Sequence, residues 1–239
     1  MSPKILLLFD IDGTLLLTGG CGKVALEKAF EESFGIPHCW GDTVPHGRTD
    51  PAILNAICLR VLGRRLTSAE YSRLCERYHG LLRHEIAATT QYRLMPGVPE
   101  LLTFLSNRKE VFLALGTGNF EDASRIKLER GDLLRYFKCG GFGSDDEDRA
   151  EILRHAVRRS EKMSGHPFHK DRVFVIGDTV HDVRAGRSSG FKTIVVLTNH
   201  ACKEDFRDCP PDHVLKDLSH IPTFMACLDG LYPSQCIPF

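Results

Sequence analysis

The chain has 239 residues, 42% hydrophobic and 26% charged, the make-up of a folded globular protein with room for one domain and an insertion. Its 31 Lys and Arg balance 31 Asp and Glu, so no global field steers it to nucleic acid or to a membrane surface. The longest apolar stretch, 5–17, is broken by Asp10 and Asp12 and is too short to span a bilayer.

The start of the chain reads as a mature N-terminus, since it has no cleavage site before the acids begin. Nine cysteines, odd in number and without a C-x-x-C pair, suit reduced thiols in a cytoplasmic protein. The His79/His84 and His166/His169 pairs lack cysteine partners at zinc-ligand spacing and read as surface residues.

In chain order, an almost unbroken apolar run over 4–9 predicts a strand buried on both faces of a parallel sheet. From about 19 to 92 the pattern changes to helical periodicity without an intervening strand. The stripes are Leu26, Phe30 and Phe34, then Ile53, Leu54, Ile57, Cys58, Val61 and Leu62, then Leu74, Tyr78, Leu81 and Leu82. Gly19-Gly20 and Met95-Pro96-Gly97 mark the junctions, and residues 19–92 are expected to form a movable helical cap.

After it, strand-like runs at 111–115, 173–176 and 193–197 alternate with helical stripes. These stripes are Val98, Leu101, Leu102 and Leu105; then Ala123, Ile126 and the Leu133-Leu134 pair; then Ile152, Leu153, Ala156 and Val157. The acidic run Asp145-Asp146-Glu147-Asp148 reads as a solvated loop. Alternating strand and helix predict an α/β fold: a Rossmann-like parallel sheet with helices on both faces, formed by 1–18 and 93–239.

Ligands of such sheets bind beyond the carboxyl ends of the strands. Asp10-Ile11-Asp12-Gly13-Thr14, Gly116-Thr117-Gly118-Asn119 and Gly177-Asp178-Thr179-Val180-His181-Asp182 stand there. Four carboxylates with no Cys or His ligand among them predict a Mg²⁺ site, and Mg²⁺ in turn asks for an anion such as a phosphate. Backbone N–H groups of Gly118 and Asn119 and the Thr117 hydroxyl are candidate phosphate donors. Asp10 can attack phosphorus to give an aspartyl-phosphate, while Asp12 protonates the leaving oxygen, a role that needs a raised pKa.

The run 10–15, Thr117 after an apolar strand, and Gly177-Asp178-Thr179-x-x-Asp182 occur in the order of three signatures of the haloacid-dehalogenase-like (HAD) hydrolase superfamily. The chain resembles its phosphatase branch, with a helical cap placed as in phosphoglycolate phosphatases and β-phosphoglucomutases. That resemblance implies Asp10 as nucleophile, Asp12 as general acid/base, and Mg²⁺ held by the Asp10 carboxylate, the Asp12 carbonyl and Asp178, with Asp182 in support. The usual Lys-Pro of the third signature is missing. Arg149 stands in its place, with Lys127 and Lys170 as substitutes.

In the cap, Gly47-Arg48-Thr49-Asp50-Pro51 resembles a loop facing the active site. Arg48 either holds a substrate carboxylate or is solvated beside a helix capped by Thr49 or Asp50. Capping is the competing role for Asp178 and Asp182, and His181 reads as a solvent-facing neighbour.

Glu121 at the third glycine position argues against a dinucleotide site, and neither G-x-S-x-G nor a P-loop occurs. The expected function is Mg²⁺-dependent hydrolysis of a small-molecule phosphate ester by a monomer or homodimer. A phosphomutase on the same scaffold and a non-turnover phosphate-binding regulator are the alternatives. The regulator would have no need of Asp12.

Overall fold

The apolar runs become strands because the chain alternates its side chains between two buried faces. In the computed structural model, which describes residues 4–45, 47–197 and 206–230, β1 (Ile5–Phe9) sends Ile5, Leu7 and Phe9 to one face of the sheet and Leu6 and Leu8 to the other. The first face is covered by α4 (Val98–Ser106) and α8 (Ile221–Leu228), the second by α6 (Arg149–Ser164) and α7 (Val180–Ser189). A strand walled on both sides has no solvent face, which is why β1 is apolar throughout.

β4 (Val111–Gly116) and β6 (Val173–Gly177) flank β1 in parallel, with Leu8 opposite Ala114 on one side and Val175 on the other. β7 (Lys192–Val196) pairs with β6, and two short strands, β5 (Gly140–Gly141) and β8 (His213–Leu215), complete the edges. The six-stranded order is β5-β4-β1-β6-β7-β8, all parallel, and this is the doubly wound α/β sheet expected from the alternation.

Between β1 and β4 the chain leaves through β2 (Leu16–Leu17) and returns through β3 (Arg93–Leu94), which pair antiparallel. Three helices lie between them: α1 (Cys21–Phe34), α2 (Asp50–Leu62) and α3 (Ser68–Ala88). Thr67 and Glu70 form a capping box that starts α3. Leu26, Phe30, Ile57, Leu74, Tyr78 and Leu82 pack into one cluster, which also takes in Phe120, Ala123 and Ile126 of the α5 (Glu121–Arg130) region. The cap helices therefore share their apolar core with a helix of the α/β unit.

Two local readings are corrected. The Leu133-Leu134 pair does not extend α5, because Gly131 and the left-handed Asp132 (φ 54°) turn the chain after Arg130. The acidic run is more than a solvated loop: Asp145 accepts two hydrogen bonds of 2.6 Å from Arg159 and one of 2.9 Å from Phe142 N, and Asp148 caps α6 through Ala150 N. Cys21, Cys39, Cys58, Cys75, Cys139, Cys209 and Cys227 are all free thiols, while Cys202 and Cys236 lie outside the described residues, as do the first residues of the chain. No described helix is long and apolar enough to cross a membrane.

Packing on both faces sets the cost of a void. Leu8→Ala, at a fully buried position of the central strand, should lower unfolding free energy in urea by about 2–5 kcal/mol. Val44→Ala, at a site 63% exposed, should stay within about 0.5 kcal/mol.

Candidate active site

The carboxyl ends of β1, β4 and β6 bring the three sequence signatures together. Asp10 directly follows β1, its N–H bonded to Ile176 O at 2.9 Å, and it is buried. Asp178 follows β6 and is 5% exposed. Its carboxylate lies where only a glycine can face it: Gly13 has φ +83°, and a Cβ there would sit 2.1 Å from Asp178 Oδ2. One oxygen of Asp10, Asp178 and Asp182 can be chosen so that all three lie within 4.8 Å of one another, and this is the candidate metal-ligating group among the described residues.

One cation stands against these acids. Arg149, at the first turn of α6, places its NH2 nitrogen 3.0 Å from Asp10 Oδ2 and 2.6 Å from Asp182 Oδ1, with its side chain 10% exposed. Lys127 and Lys170 are elsewhere: Lys127 reaches Asp12, and Lys170 lies near Gly190. Asp182 also accepts from Thr179 N (3.1 Å) and Thr179 Oγ1 (2.7 Å) through Oδ2, so it caps α7 and anchors Arg149 at once. Both its oxygens are taken.

Asp178 Oδ1, by contrast, is buried with no hydrogen-bond partner. A buried carboxylate oxygen without a donor is costly. Burial, with Asp182 and Asp10 nearby, pushes the Asp178 carboxyl up to about 8. Burial likewise raises Asp10 to about 6, with Arg149 and the Thr117 hydroxyl pulling the other way. An orphaned hard oxygen among crowded carboxylates fits a divalent cation such as Mg²⁺, with Asp10 and Asp178 the side chains that have oxygen left to offer it.

Asp12 faces the cavity and is held from one side only. Its Oδ2 accepts from Lys127 Nζ at 2.6 Å and from Asn119 Nδ2 at 2.8 Å, and Asn119 Oδ1 in turn accepts from Lys127. Burial would lower the Lys127 pKa, but Asp12 and Asp50 more than reverse it, so the ammonium stays charged. Asn119, named above for its backbone, thus acts here through its side chain. By sequence Lys127 is only a stand-in for Arg149. The signal that places it inside is its position four residues after Ala123, on the buried stripe of α5.

The phosphate donors divide. Gly118 N–H has no partner among the described residues, whereas Asn119 N–H turns to Thr117 Oγ1 at 3.3 Å. Thr117 is fully buried and stands behind the cavity wall. Arg48 is exposed at the cavity rim, where its NH2 group bonds Ala52 O at 3.2 Å, and Thr49 is the cap of α2. The cavity, about 760 Å³, has Asp10, Asp12, Asp178 and Arg149 at one end, with Leu26, Trp40, Ile53, Leu54 and Tyr78 from the cap on its other wall.

A HAD-hydrolase-like family model matches residues 149–221, the stretch from Arg149 past Asp182. Phosphoglycolate phosphatase of Aquifex aeolicus is 26% identical over 191 residues, 80% of this chain and 84% of that one. The chain is similar to HAD-like hydrolases over residues 149–221 and to one of their phosphatases over most of its length. Pyrophosphatase PpaX of Oceanobacillus iheyensis is 23% identical over 222 residues, covering 92% and 95% of the two chains. The crystal structure of CbbY from Rhodobacter sphaeroides in complex with phosphate superposes with a TM-score of 0.69 at 19% identity, covering 96% of this chain and all of that one.

The raised carboxyl groups link stability to pH. An Asp whose folded pKa lies above its ordinary 3.8 stabilises the fold fully below that value and loses the contribution as pH rises through the folded one. In EDTA the melting temperature should therefore fall between pH 4 and 8. Asp178→Asn should flatten the fall, and Mg²⁺ should raise the wild-type melting temperature most at pH 8. A melting temperature that rises over this range in EDTA would contradict the assignment.

Proposed function

We propose that this chain is a phosphatase, which hydrolyses a small phosphorylated metabolite through an aspartyl-phosphate on Asp10, with Mg²⁺ as cofactor. The observation that carries the reading is the bridge from Arg149 to Asp10 and Asp182 beside the orphaned oxygen of Asp178, at one end of a closed-over cavity. Bound Mg²⁺ supplies positive charge to the crowded carboxylates and to the transferring phosphoryl group.

In this reading Asp10 forms a bond to phosphorus as the bond to the leaving oxygen breaks, and Asp12 gives that oxygen its proton. Water then attacks phosphorus, Asp12 takes the water proton, and Asp10 and inorganic phosphate are released. Arg149 holds both Asp10 and the phosphoryl oxygens and never loses its charge. Gly118 N–H, free on the cavity wall, donates to a phosphoryl oxygen. The two donors on Asp12 Oδ2 leave Oδ1 for the leaving group. Arg48 at the rim is offered to a carboxylate or second anion of the substrate. The free thiols suit a reducing compartment such as the cytoplasm.

Release of phosphate from an aryl phosphate, followed with Mg²⁺ and with EDTA, tests the reading. Activity should vanish in EDTA and in Asp10→Asn; full turnover in either would overturn it. Asp12→Asn should lower kcat by about 100- to 10,000-fold while the Mg²⁺-dependent rise in melting temperature persists. Arg48→Ala should raise KM for phosphorylated carboxylates more than for an aryl phosphate.

A further inference from the structure

Four consecutive cap residues touch two different catalytic loops. Gly47, at φ +70°, lies on the His181 ring, where a Cβ would fall 2.1 Å from Cδ2, so His181, exposed as expected, also packs against the cap. The Arg48 carbonyl and Thr49 Cα lie against Gly118, where a Cβ would be 2.9 and 3.0 Å from them. Asp50 completes the contact from both sides of that loop: its N–H donates to Gly118 O at 2.8 Å and its Oδ2 accepts from Phe120 N at 2.9 Å. Between the two bonded residues stands Asn119, whose side chain holds Asp12 and Lys127. On the next turns of α2, Asn55 donates to Glu147, a further bond from cap to core.

We propose that Asp50 is a positioning residue which fastens the cap to the 118–120 loop and sets that loop's backbone with Gly118 N–H facing the cavity, so that docking of the cap and binding of a phosphoryl group are one event. The inference rests on the phosphatase reading for the identity of the anion, not for the contact itself. With Phe120 N–H consumed by Asp50 and Asn119 N–H turned to Thr117, Gly118 is left as the backbone donor. Its carbonyl is the atom that Asp50 holds. Two sites joined through one bonded loop stabilise each other by the same free energy in both directions. An undocked cap would leave the loop without two of its bonds and Asp12 without a fixed Asn119. Desolvation raises the Asp50 carboxyl to about 6, against Lys127 and the Phe120 N–H, in keeping with a group enclosed at the junction.

Trp40, the single tryptophan, lines the cavity from the cap and reports docking. Acrylamide quenching of its fluorescence is measured with and without Mg²⁺ plus inorganic phosphate, alongside KM and kcat for an aryl phosphate. Asp50→Ala should weaken phosphate binding and raise KM by about 10- to 100-fold, the worth of a hydrogen bond to a charged group, and should make Trp40 more quenchable even in the free protein. Asp50→Asn, whose amide oxygen still accepts from Phe120 N, should restore most of both. Equal quenching and equal phosphate affinity in wild type and Asp50→Ala would overturn the proposal, and so would an Asn variant as impaired as Ala.

Amide exchange on the wild type answers for a variant that fails to fold. Mg²⁺ and phosphate together should slow exchange at the Asp50 and Phe120 amides, and unchanged exchange in a protein that binds phosphate would refute the coupling. If the wild type binds no phosphate, the phosphatase reading fails, and quenching of free Asp50→Ala still decides the contact.

Discussion

A single guanidinium set among three carboxylates is the constraint around which this site is built. Arg149 neutralises Asp10 and Asp182 at hydrogen-bond distance, and Asp178 is left with an oxygen that no donor meets. Buried charge without a partner is among the most expensive things a fold can hold, and removing one member of such a set is worse than never having it. Much of the local sequence serves this arrangement. Gly13 takes a left-handed turn so that Asp178 can lie against it, and Asp182 begins a helix with one oxygen while steadying Arg149 with the other. The negative charge that remains unmatched is what fits the cluster to a divalent cation.

The sheet was legible because burial on both faces leaves an unmistakable run of apolar residues, and β1, β4, β6 and β7 fall within a residue or so of the runs that mark them. The strands that escaped notice are those with little side chain to read. β5 is Gly140-Gly141, β2 and β3 are two residues each, and β8 is three. Short edge pairings are set by their neighbours rather than by local preference. Helix stripes were legible where apolar residues recur, and failed at Leu133-Leu134, where backbone geometry after Gly131 overrides a continuing pattern.

Within the site, Asp10, Asp178, Asp182 and Arg149 converge where strand-end logic places them. The residues that went unread are those whose partners come from distant parts of the chain: Lys127 against Asp12 across 115 positions, and Asp50 against Phe120 across 70. A first-turn acid and a helix lysine look ordinary in one dimension, since each fits its own helix well. Their work appears only when distant segments are brought together, and it divides the acids of the cavity into one group facing Arg149 and another facing Lys127.

The antiparallel pairing of β2 with β3 has a bearing on how such a molecule can change. The chain departs from the α/β unit and rejoins it at neighbouring positions, Leu16 beside Leu94 and Leu17 beside Arg93. Whatever length of polypeptide hangs between those points, the ends it presents to the sheet stay the same distance apart. Helices could be lengthened, exchanged or lost there while the six parallel strands keep their register, so the chemistry at the strand ends and the choice of what reaches it are free to evolve on separate schedules.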